Sequence, residues 1–226
     1  MKTINKFINE KLKITKKMLN DQYDYVDLGL PSGTLWAKCN VGAKTETEYG
    51  DYFAWGETKP KNEYTWENYK FGDEHNLTKY NDEDKLTELE LKDDAANVNM
   101  GSAWRIPTTE QFEELFKLDV KFIKNYNDTN VQGMLFTAKN EWIENYNDSG
   151  INGILFTGKN GNTIFFPAAG YSLSGIHEEN KVGRYWSSTC NETYYDESVC
   201  LHFQNVTLFN SNQGRCIGMP IRGIIN

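Results

Sequence analysis

The sequence lacks the features of a protein that enters or crosses a membrane. No stretch of its 226 residues approaches the roughly 20 apolar residues of a membrane span. The first twenty residues, MKTINKFINEKLKITKKMLN, contain no apolar run of about 7–15 residues and no small-residue cleavage site, so they do not predict a signal peptide. We therefore expect no membrane span and a protein that matures in a cytosol, unless it leaves the cell by lysis.

The residue patterns of common enzymes and metal sites are also missing. The cysteines form no CxxC pair, no GxSxG elbow is present, and the three histidines stand in unrelated contexts. General acid–base catalysis needs two carboxyls in one cleft, but Asp93–Asp94 and Glu178–Glu179 are neighbours that point to different sides of a strand or helix. The sequence therefore predicts a non-enzyme without a resident metal. Calcium, whose ligands are clustered oxygens, is the one cofactor left open.

The cysteines have two alternative states. Cys190 and Cys200 flank a predicted hairpin tip and could form a disulfide bond under oxidising conditions. In a reducing compartment we instead expect free thiols. The four cysteines are Cys39, Cys190, Cys200 and Cys216.

Charge is distributed unevenly along the chain. The formal net charge is −8, but residues 1–20 hold six lysines and one glutamate, about +5, which leaves about −13 for the remainder. An acidic body excludes nucleic acid as a partner, because that binding is driven by neutralising phosphates. The short basic arm either meets an acidic protein surface or is a solvated terminal helix.

The composition favours short strands over a helical bundle. Ile, Leu and Val are sparse, whereas aromatic residues make up 14% of the chain and 18 glycines interrupt it. Each aromatic side chain buries roughly 150–250 Å², so a core can be built on them. The order of the short apolar runs predicts an α+β domain over residues 23–226, with short antiparallel strands and one or two short helices.

Residues 1–22 are predicted to form a separate N-terminal arm. The apolar spacing indicates an amphipathic helix over residues 3–19. A lone helix of this length is marginal in water, so it needs to dock on its own domain, on another copy or on a different protein. The apolar residues expected to make this contact are Ile4, Phe7, Ile8 and Leu12.

Two local patterns predict structure in more detail. Thr108 and Gln111 have capping-box spacing before an apolar helical face, which predicts a helix over residues 108–118. NYNDTNVQGMLFTAKN (125–140) returns as NYNDSGINGILFTGKN (145–160), an offset of twenty residues. An even offset keeps every residue on its own face of a strand, so we expect a locally duplicated β unit.

The stretch YGDYFAWGETKP (49–60) places four aromatic side chains beside two glycines, which permit tight turns around bulky rings. We predict that these rings hold the core together rather than bind a ligand. Arg105 and Arg222 are expected to be framework groups that hydrogen-bond loop carbonyls or pair with Asp51 or Asp93. The other tryptophans assigned to the core are Trp36, Trp104 and Trp186.

The chain contains, in this order, the segments YVDLGLPSGTLWAKCNVGA, YGDYFAWGET, DDAANVNMGSAWRIPTTEQFEEL, GKNGNTIFFPAAGY, RYWSST and IRGI. Together they resemble the FISUMP domain. The resemblance covers about residues 23–224 and implies a C-type-lectin-like fold, similar to that of the formylglycine-generating enzymes. Those enzymes use two cysteines as a copper-binding centre. The late pair here, Cys200 and Cys216, lacks a supporting motif, so we do not expect this activity. The chain departs from the family in having two copies of the 145–160 unit and no export signal.

The leader INKFINEKLKITK is similar to a short N-terminal element on proteins of gut-bacterial, crAss-like phages. This resemblance implies a virion surface protein, such as a head fibre, a capsid decoration protein or a tail adhesin, that assembles in the host cytoplasm. Its partners would be other virion proteins or further copies of itself, for example in a trimer. The alternatives are a structural decoration module without a ligand and a binding protein of the bacterial cell surface.

The lectin-like resemblance implies that loops on a rigid body recognise a host or mucosal glycan or protein. Sugar binding combines an aromatic face with amide and carboxyl groups, and three late loops have this composition: 189–198, 209–214 and 172–181. For Tyr194 and Tyr195 the alternative to ligand binding is ordinary packing at a hairpin tip. The candidate ligand-binding residues are Asn191, Tyr194, Tyr195, Asp196, Asn210, Asn212, Gln213 and His177.

Overall fold

The computed structural model describes residues 23–116, 120–123, 133–136, 139–205 and 207–226. Within these ranges the chain is β-rich, as the composition predicts, with two short α-helices. The expected helix over residues 3–19 lies outside the described residues. The α-helices are α1 (Ala95–Met100) and α2 (Thr109–Phe116), and short 3₁₀ helices occur at Trp66–Asn68, Leu91–Asp93 and Tyr146–Asp148.

Thirteen strands form five small sheets in the described residues, and all the strand pairs are antiparallel. The sheet orders are β1-β2-β13, β3-β4, β5-β6-β7, β8-β9 and β10-β11-β12. The first of these joins the beginning and the end of the described chain. The strands are β1 (Tyr25–Asp27), β2 (Leu35–Ala37), β3 (Val120–Ile123), β4 (Gly133–Phe136), β5 (Lys139–Ile143), β6 (Gly153–Thr157), β7 (Thr163–Pro167), β8 (Tyr171–Ser172), β9 (Ile176–His177), β10 (Gly183–Cys190), β11 (Glu197–Gln204), β12 (Thr207–Gly214) and β13 (Ile224–Ile225).

The helix predicted over residues 108–118 is confirmed as α2, with a capping box at its start. The Thr108 backbone N–H donates to Gln111 Oε1 at 2.9 Å, and the Gln111 backbone N–H donates back to Thr108 Oγ1 at 3.4 Å. Phe112 and Leu115, which lie on one face of the helix, are buried. They pack in one cluster with aromatic side chains of β10 and β11, so α2 covers one face of the β10–β11–β12 sheet.

The sequence repeat is a duplicated hairpin. In β3–β4, Ile123 pairs with Gly133 and Val120 pairs with Phe136. In β5–β6, Ile143 pairs with Gly153 and Asn140 pairs with Phe156, which is the same register moved by twenty residues. The prediction of a locally duplicated β unit is therefore confirmed in strand pairing.

The aromatic stretch 49–60 forms part of the core, as predicted. Residues 52–57 are all buried, and the indole N–H of Trp55 donates to the Ser187 carbonyl oxygen at 2.9 Å. Gly50 has φ +75°, and a Cβ atom there would collide with the Val41 carbonyl oxygen. The stretch therefore holds the fold together. The other predicted core tryptophans, Trp36, Trp104 and Trp186, are fully buried.

Arg222 is a framework residue, as expected, and it hydrogen-bonds oxygens of uncharged groups. Its guanidinium is fully buried, lies 4.4 Å from the centre of the Phe166 ring, and donates to four acceptors. Arg105 is half-buried, and its guanidinium donates to the carbonyl oxygens of Ser102 and Trp104 in its own turn. The alternative that these arginines pair with Asp51 or Asp93 is wrong for Asp93, whose ionic partners are lysines. The acceptors of Arg222 are Asn40 Oδ1 and the carbonyl oxygens of Ala37, Lys38 and Phe165.

Asp93 and Asp94 point to different environments, as predicted, and they have different roles. Asp94 is the N-cap of α1, and its carboxylate accepts from the Asn97 N–H at 2.9 Å and the Ile106 N–H at 2.8 Å. Asp93 instead accepts from Lys70 Nζ at 2.6 Å, from Tyr80 Oη at 2.8 Å and from Lys79 Nζ. The reason is position: Asp93 ends the 3₁₀ turn one residue before the cap.

We expect Asp93→Asn to lower the free energy of unfolding by about 2–3 kcal/mol at pH 7, because it removes the buried negative charge that pairs with two ammonium groups and places an amide NH2 donor against one of them. Burial opposes the charge of Asp93, but hydrogen bonds from Lys70, Lys79 and Tyr80 outweigh it and lower its pKa. The unfolded carboxyl has a pKa of about 3.9. The stabilisation is therefore present above about pH 4 and is lost as the pH falls through the lower folded pKa.

Urea denaturation between about pH 2 and pH 8 checks this expectation. The difference between wild type and Asp93→Asn should shrink as the pH falls below about 4. Glu90→Gln is the control, since Glu90 binds the same Lys79 from the exposed side and its loss should change stability little. A difference that stays constant down to the lowest pH would show that the charge of Asp93 contributes nothing.

Candidate functional site

The predicted ligand-binding residues divide between the two ends of one sheet. The loop 191–196 joins β10 to β11 at one end, and His177 on β9 lies near the start of β10 at the other end. β10 has eight residues, so the two ends are roughly 23 Å apart at about 3.3 Å per residue. These residues therefore do not form one binding site.

The segment 209–214 is not a loop, contrary to the prediction. It belongs to β12, which pairs with β11 along its whole length, from Thr207 opposite Gln204 to Gly214 opposite Glu197. Asn210 and Asn212 lie on one face of this strand and Gln213 on the other, because side chains alternate. The asparagines, glutamine and serine of this segment suggested a loop, but backbone hydrogen bonds to β11 hold the polar segment as a strand.

His177 belongs to an aromatic cluster at the far end of the sheet. Its ring stacks on Tyr171 with 5.4 Å between centroids, and the Arg184 guanidinium lies 4.4 Å from the centre of the same Tyr171 ring. Arg184 also pairs with Glu178 at 3.1 Å. His202 lies on β11 directly opposite Arg184, and burial together with the positive charge of Arg184 lowers the pKa of His202. This cluster is separate from the loop 191–196, which contains Tyr194 and Tyr195 and is named the tyrosine loop.

The tyrosine loop forms one wall of an open groove of about 480 Å³. Tyr195 and Asp196 line this wall, and residues 74–78 and 81–83 line the other. Tyr194 lies beside them with 62% of its surface exposed. The groove therefore brings together an aromatic ring, carboxylates, amides and a histidine. That combination matches the sugar-binding composition predicted for this loop.

Side-chain hydrogen bonds hold the loop 191–196 in shape. Asn191 Oδ1 accepts from the backbone N–H groups of Thr193 at 2.9 Å and Tyr194 at 3.2 Å, and its Nδ2 donates to Glu197 Oε2 at 3.1 Å. The carboxamide of Asn191 is thus used inside the protein, so Asn191 positions the tyrosines instead of offering its amide to a ligand.

The opposite wall is rigid for the same reason. Asp73 Oδ1 accepts from the N–H groups of His75 and Asn76 at 2.8 and 2.9 Å, and Asn81 Oδ1 accepts from Glu83 and Asp84 at 3.0 and 3.1 Å. These are Asx-type turns, in which a side chain replaces a backbone partner. A groove with two such walls is largely formed before any ligand arrives.

Arg215 connects the two walls. Its guanidinium is fully buried and lies 4.6 Å from the centre of the Trp55 ring. It donates to the carbonyl oxygens of Lys79 at 3.4 Å and Tyr80 at 2.8 Å in one wall, and to that of Glu197 at 3.3 Å at the base of the other. The backbone N–H of Arg215 also donates to the Asp196 carbonyl oxygen at 2.9 Å. One buried cation therefore sets the width of the groove.

The groove is acidic. Four carboxylates line it and, among the described residues, no lysine or arginine does; the carboxylates are Glu74, Asp82, Glu83 and Asp196. Partial desolvation and the nearby Asp82 raise the pKa of Tyr195, so its hydroxyl stays protonated and can donate a hydrogen bond. A second open groove of about 540 Å³, lined in part by Trp66, shares residues 74–76 with the first. The ridge 74–76 thus separates two concave surfaces.

The wall 74–83 was missed by the sequence reasoning, which treated it as acidic surface. Two signals could have indicated it: the asparagines and aspartates at turn spacing, and the single tyrosine, Tyr80, among polar residues. Tyr80 is fully buried and anchors the wall against Trp55 with 5.0 Å between ring centroids. The wall 74–83 is joined to the tyrosine loop through Arg215, which donates to the Tyr80 carbonyl oxygen from more than 130 residues away in the chain. No local sequence pattern predicts this contact.

All four cysteines are free thiols, as expected, so the alternative Cys190–Cys200 bridge is not formed. Cys190 lies opposite Ser198 and Cys200 lies opposite Trp186 in the ladder. Burial raises the pKa of Cys200 to about 12 and that of Cys216 to about 11, which keeps both thiols protonated at neutral pH.

In the described part of the chain, no group of three or more His, Cys, Asp or Glu side chains is arranged to hold a metal ion. Over the same residues, none of the helices has the length and apolar character needed to cross a membrane. The predicted anchor residues Ile4, Phe7, Ile8 and Leu12 lie outside the described residues. Comparison of the chain with protein-family models, with curated proteins and with solved structures finds no match.

Proposed function

We propose that this protein is a non-enzymatic recognition module with a C-type-lectin-like fold of the FISUMP type, which binds a glycan in the groove beside Tyr195. The observation that carries the proposal is the groove itself, in which an aromatic ring faces carboxylate and amide groups across two rigid walls. The ordered sequence segments that resemble the FISUMP domain support the fold assignment.

The groove chemistry suits a neutral or basic sugar. The Tyr195 ring offers a face for the apolar side of a pyranose, and carboxylate oxygens accept hydrogen bonds from its hydroxyls. Sialylated or sulfated glycans are disfavoured, because their charges would meet those of Glu74, Asp82 and Glu83. The groove is open and small, so a single site binds weakly and gains strength when many copies act together.

The positions of the nucleophilic and basic side chains support a non-enzymatic role. His75 lies in the groove wall, His177 stacks on Tyr171, and His202 lies in β11, so the three do not meet. The pKa values of Cys200 and Cys216 are raised by burial, and thiolate chemistry needs the opposite shift.

We further propose that the protein acts on a phage virion surface, where residues 1–22 anchor it to other virion proteins or to further copies of itself. The support is the leader sequence and its basic, amphipathic pattern, in contrast to the acidic body. Electron microscopy of purified particles, with the protein labelled, tests this location. Its absence from particles would favour a bacterial cell-surface protein.

We expect Tyr195→Ala to weaken glycan binding about tenfold or more, because truncating an aromatic contact residue typically costs about 1–2 kcal/mol of binding free energy. A glycan array identifies the ligand, and titration calorimetry with that ligand gives the dissociation constant. Unfolding stability should change little, since Tyr195 is only partly buried.

Tyr25→Ala is the matched control for Tyr195→Ala. Tyr25 is a tyrosine on β1 with 47% of its surface exposed, outside the groove, and its loss should leave the affinity unchanged. The glycan proposal would be overturned if no glycan on the array bound the protein and particles carrying Tyr195→Ala adsorbed to the host as well as wild type. That result would favour a purely structural decoration module.

A further inference from the structure

A second groove lies beside the groove of Tyr195. It has a volume of about 540 Å³ and shares the ridge 74–76 with the first groove, and Trp66 lines it as well. Trp66 is partly buried and meets Tyr69 edge to face, with 5.3 Å between the ring centroids. Part of its large ring system therefore remains open to the groove. The proposed glycan site uses only one of these two grooves.

The turn that carries Trp66 is held by side-chain hydrogen bonds, as are the walls of the first groove. Asn68 Nδ2 donates to the Glu63 carbonyl oxygen at 3.0 Å, and Asn68 Oδ1 accepts from Lys61 Nζ at 2.8 Å. Gly214, at the end of β12, lies against the indole, since a Cβ atom there would stand 3.7 Å from Trp66 Cζ2. Trp66 is thus in place before a ligand arrives, which lowers the entropic cost of binding.

The ridge between the two grooves is short and fixed. Gly72 and Leu77 form an antiparallel bridge at its base. Gly72 has φ +103°, and a Cβ atom there would collide with the Asn76 carbonyl oxygen, so this closure requires glycine. Paired strands are about 4.8 Å apart. The two grooves are therefore separated by little more than the width of one turn of the chain.

The aromatic rings of the two grooves lie at the same end of the long sheet. Gly214, against which Trp66 packs, is paired with Glu197 across β12 and β11. Glu197 directly follows the tyrosine loop, whose Tyr195 lines the first groove. Trp66 and Tyr195 are therefore close to the same pair of strand ends, although they are distant in the chain.

The two grooves also have the same sign of charge. Glu67, Asp73 and Glu74 line the second groove, and its described lining residues include no lysine or arginine. The first groove combines four carboxylates with the same lack of basic side chains in the described part of the chain. A ligand of uniform chemistry, with hydroxyls or amines along its length, therefore meets suitable acceptors on both sides of the ridge.

We propose that the two grooves are subsites of one site, in which a linear oligosaccharide crosses the ridge 74–76 with one sugar on the Tyr195 ring and another on the Trp66 ring. This inference rests on the proposed glycan binding, and it specifies the ligand as a chain of several neutral or basic sugars instead of a single terminal sugar. The sugar that crosses the ridge meets His75, whose side chain is exposed there. Once one sugar is bound, the next ring is reached at the high effective concentration set by the linkage, so the affinity rises with chain length.

Titration calorimetry of the full chain with linear oligomers of glucose, mannose, xylose and glucosamine, each from the monosaccharide to the hexamer, tests the proposal. For the series that binds, we expect the affinity to rise about tenfold or more once the oligomer is long enough to reach both rings. Trp66→Ala should return the affinity for the hexamer nearly to that for the monosaccharide, because it deletes the second ring. In wild type, the NMR signals of the Trp66 indole and the Tyr195 ring should shift with the hexamer in one titration, with a single dissociation constant.

Trp142→Ala is the matched control for Trp66→Ala. Trp142 is a partly buried tryptophan on β5 that packs against the cluster around Trp36 and lines neither groove. The variant should keep the full dependence of affinity on oligomer length. Both variants are titrated at a temperature where they remain folded.

An affinity that does not rise with oligomer length, or a rise that persists in folded Trp66→Ala, would overturn the proposal. Should circular dichroism show that Trp66→Ala does not fold, the NMR titration of wild type decides, since no response of Trp66 or two different dissociation constants would show that the grooves are independent. Either outcome leaves the proposed function intact as long as a sugar still binds and Tyr195→Ala weakens that binding. No binding by any of these oligomers overturns this inference, and the proposed function fails with it only if no glycan on the array binds either.

Discussion

Arg222→Ala is expected to lower the free energy of unfolding by about 5 kcal/mol, because it removes the donor of three buried acceptors and one partly buried acceptor and opens a cavity beside Phe166. The lost bonds connect the turn after β2 with β7 and with the C-terminal segment. A loss of this size matches the total stability of many domains, about 5–15 kcal/mol. Urea denaturation followed by tryptophan fluorescence measures it.

Two variants determine whether the geometry of Arg222 or only its charge matters. Arg222→Lys keeps the charge, but one ammonium group cannot reach acceptors spread around a planar guanidinium, so most of the loss should remain. Arg105→Ala removes an arginine whose guanidinium bonds only the nearby carbonyls of Ser102 and Trp104 within the described residues, and should cost about 1 kcal/mol. Equal losses of unfolding free energy for Arg105→Ala and Arg222→Ala would contradict the assignment of Arg222 as a buried framework residue.

Arg215→Met is expected to reduce stability and glycan affinity together. The variant removes the three carbonyl contacts that join Lys79 and Tyr80 to Glu197, and we expect a loss of about 3 kcal/mol in the free energy of unfolding. Because these bonds set the width of the groove, the affinity of the folded variant should fall about tenfold or more, as a displacement of about 1 Å is costly at a preorganised site.

Ile164→Ala is the stability-matched control for Arg215→Met. Ile164 is buried in β7, in the cluster around Trp36 and Phe166, and its truncation should cost about 2–5 kcal/mol without touching the groove. Calorimetric titration is done at a temperature where both variants remain folded. If both variants lose glycan affinity equally, the Arg215→Met result reflects general destabilisation, and the claim that Arg215 sets the width of the groove is wrong.

Local sequence patterns were sufficient for several elements. The capping box at Thr108 and Gln111 predicts the start of α2 to within one residue, because helix starts are defined by side chains close in sequence. The even offset of the repeat predicts its strand pairing for a similar reason, since faces alternate along a single strand. The glycines and rings of 49–60 likewise indicate a core segment before any tertiary contact is known.

The alternative that an arginine pairs with Asp93 and the prediction of a loop over residues 209–214 were wrong, because each depends on partners distant in the chain. Asp93 meets Lys70 and Lys79 only after the chain between them folds back. The polar run of β12 is typical of a loop when taken alone and becomes a strand because β11 offers a complete ladder. Intrinsic preference for a strand is weak, and tertiary context decides it.

By itself, the sequence determined the β-rich class, the aromatic core, α2, the duplicated hairpin and the tyrosine loop, since each follows from composition or from spacing within a few residues. The tertiary structure alone decided that His177 lies far from that loop, that residues 74–83 form its opposite wall and that residues 209–214 belong to a strand. The physical reason is that grooves and edges arise between segments. Buried groups such as Arg215 join those segments through backbone carbonyls, which carry no signal in the sequence.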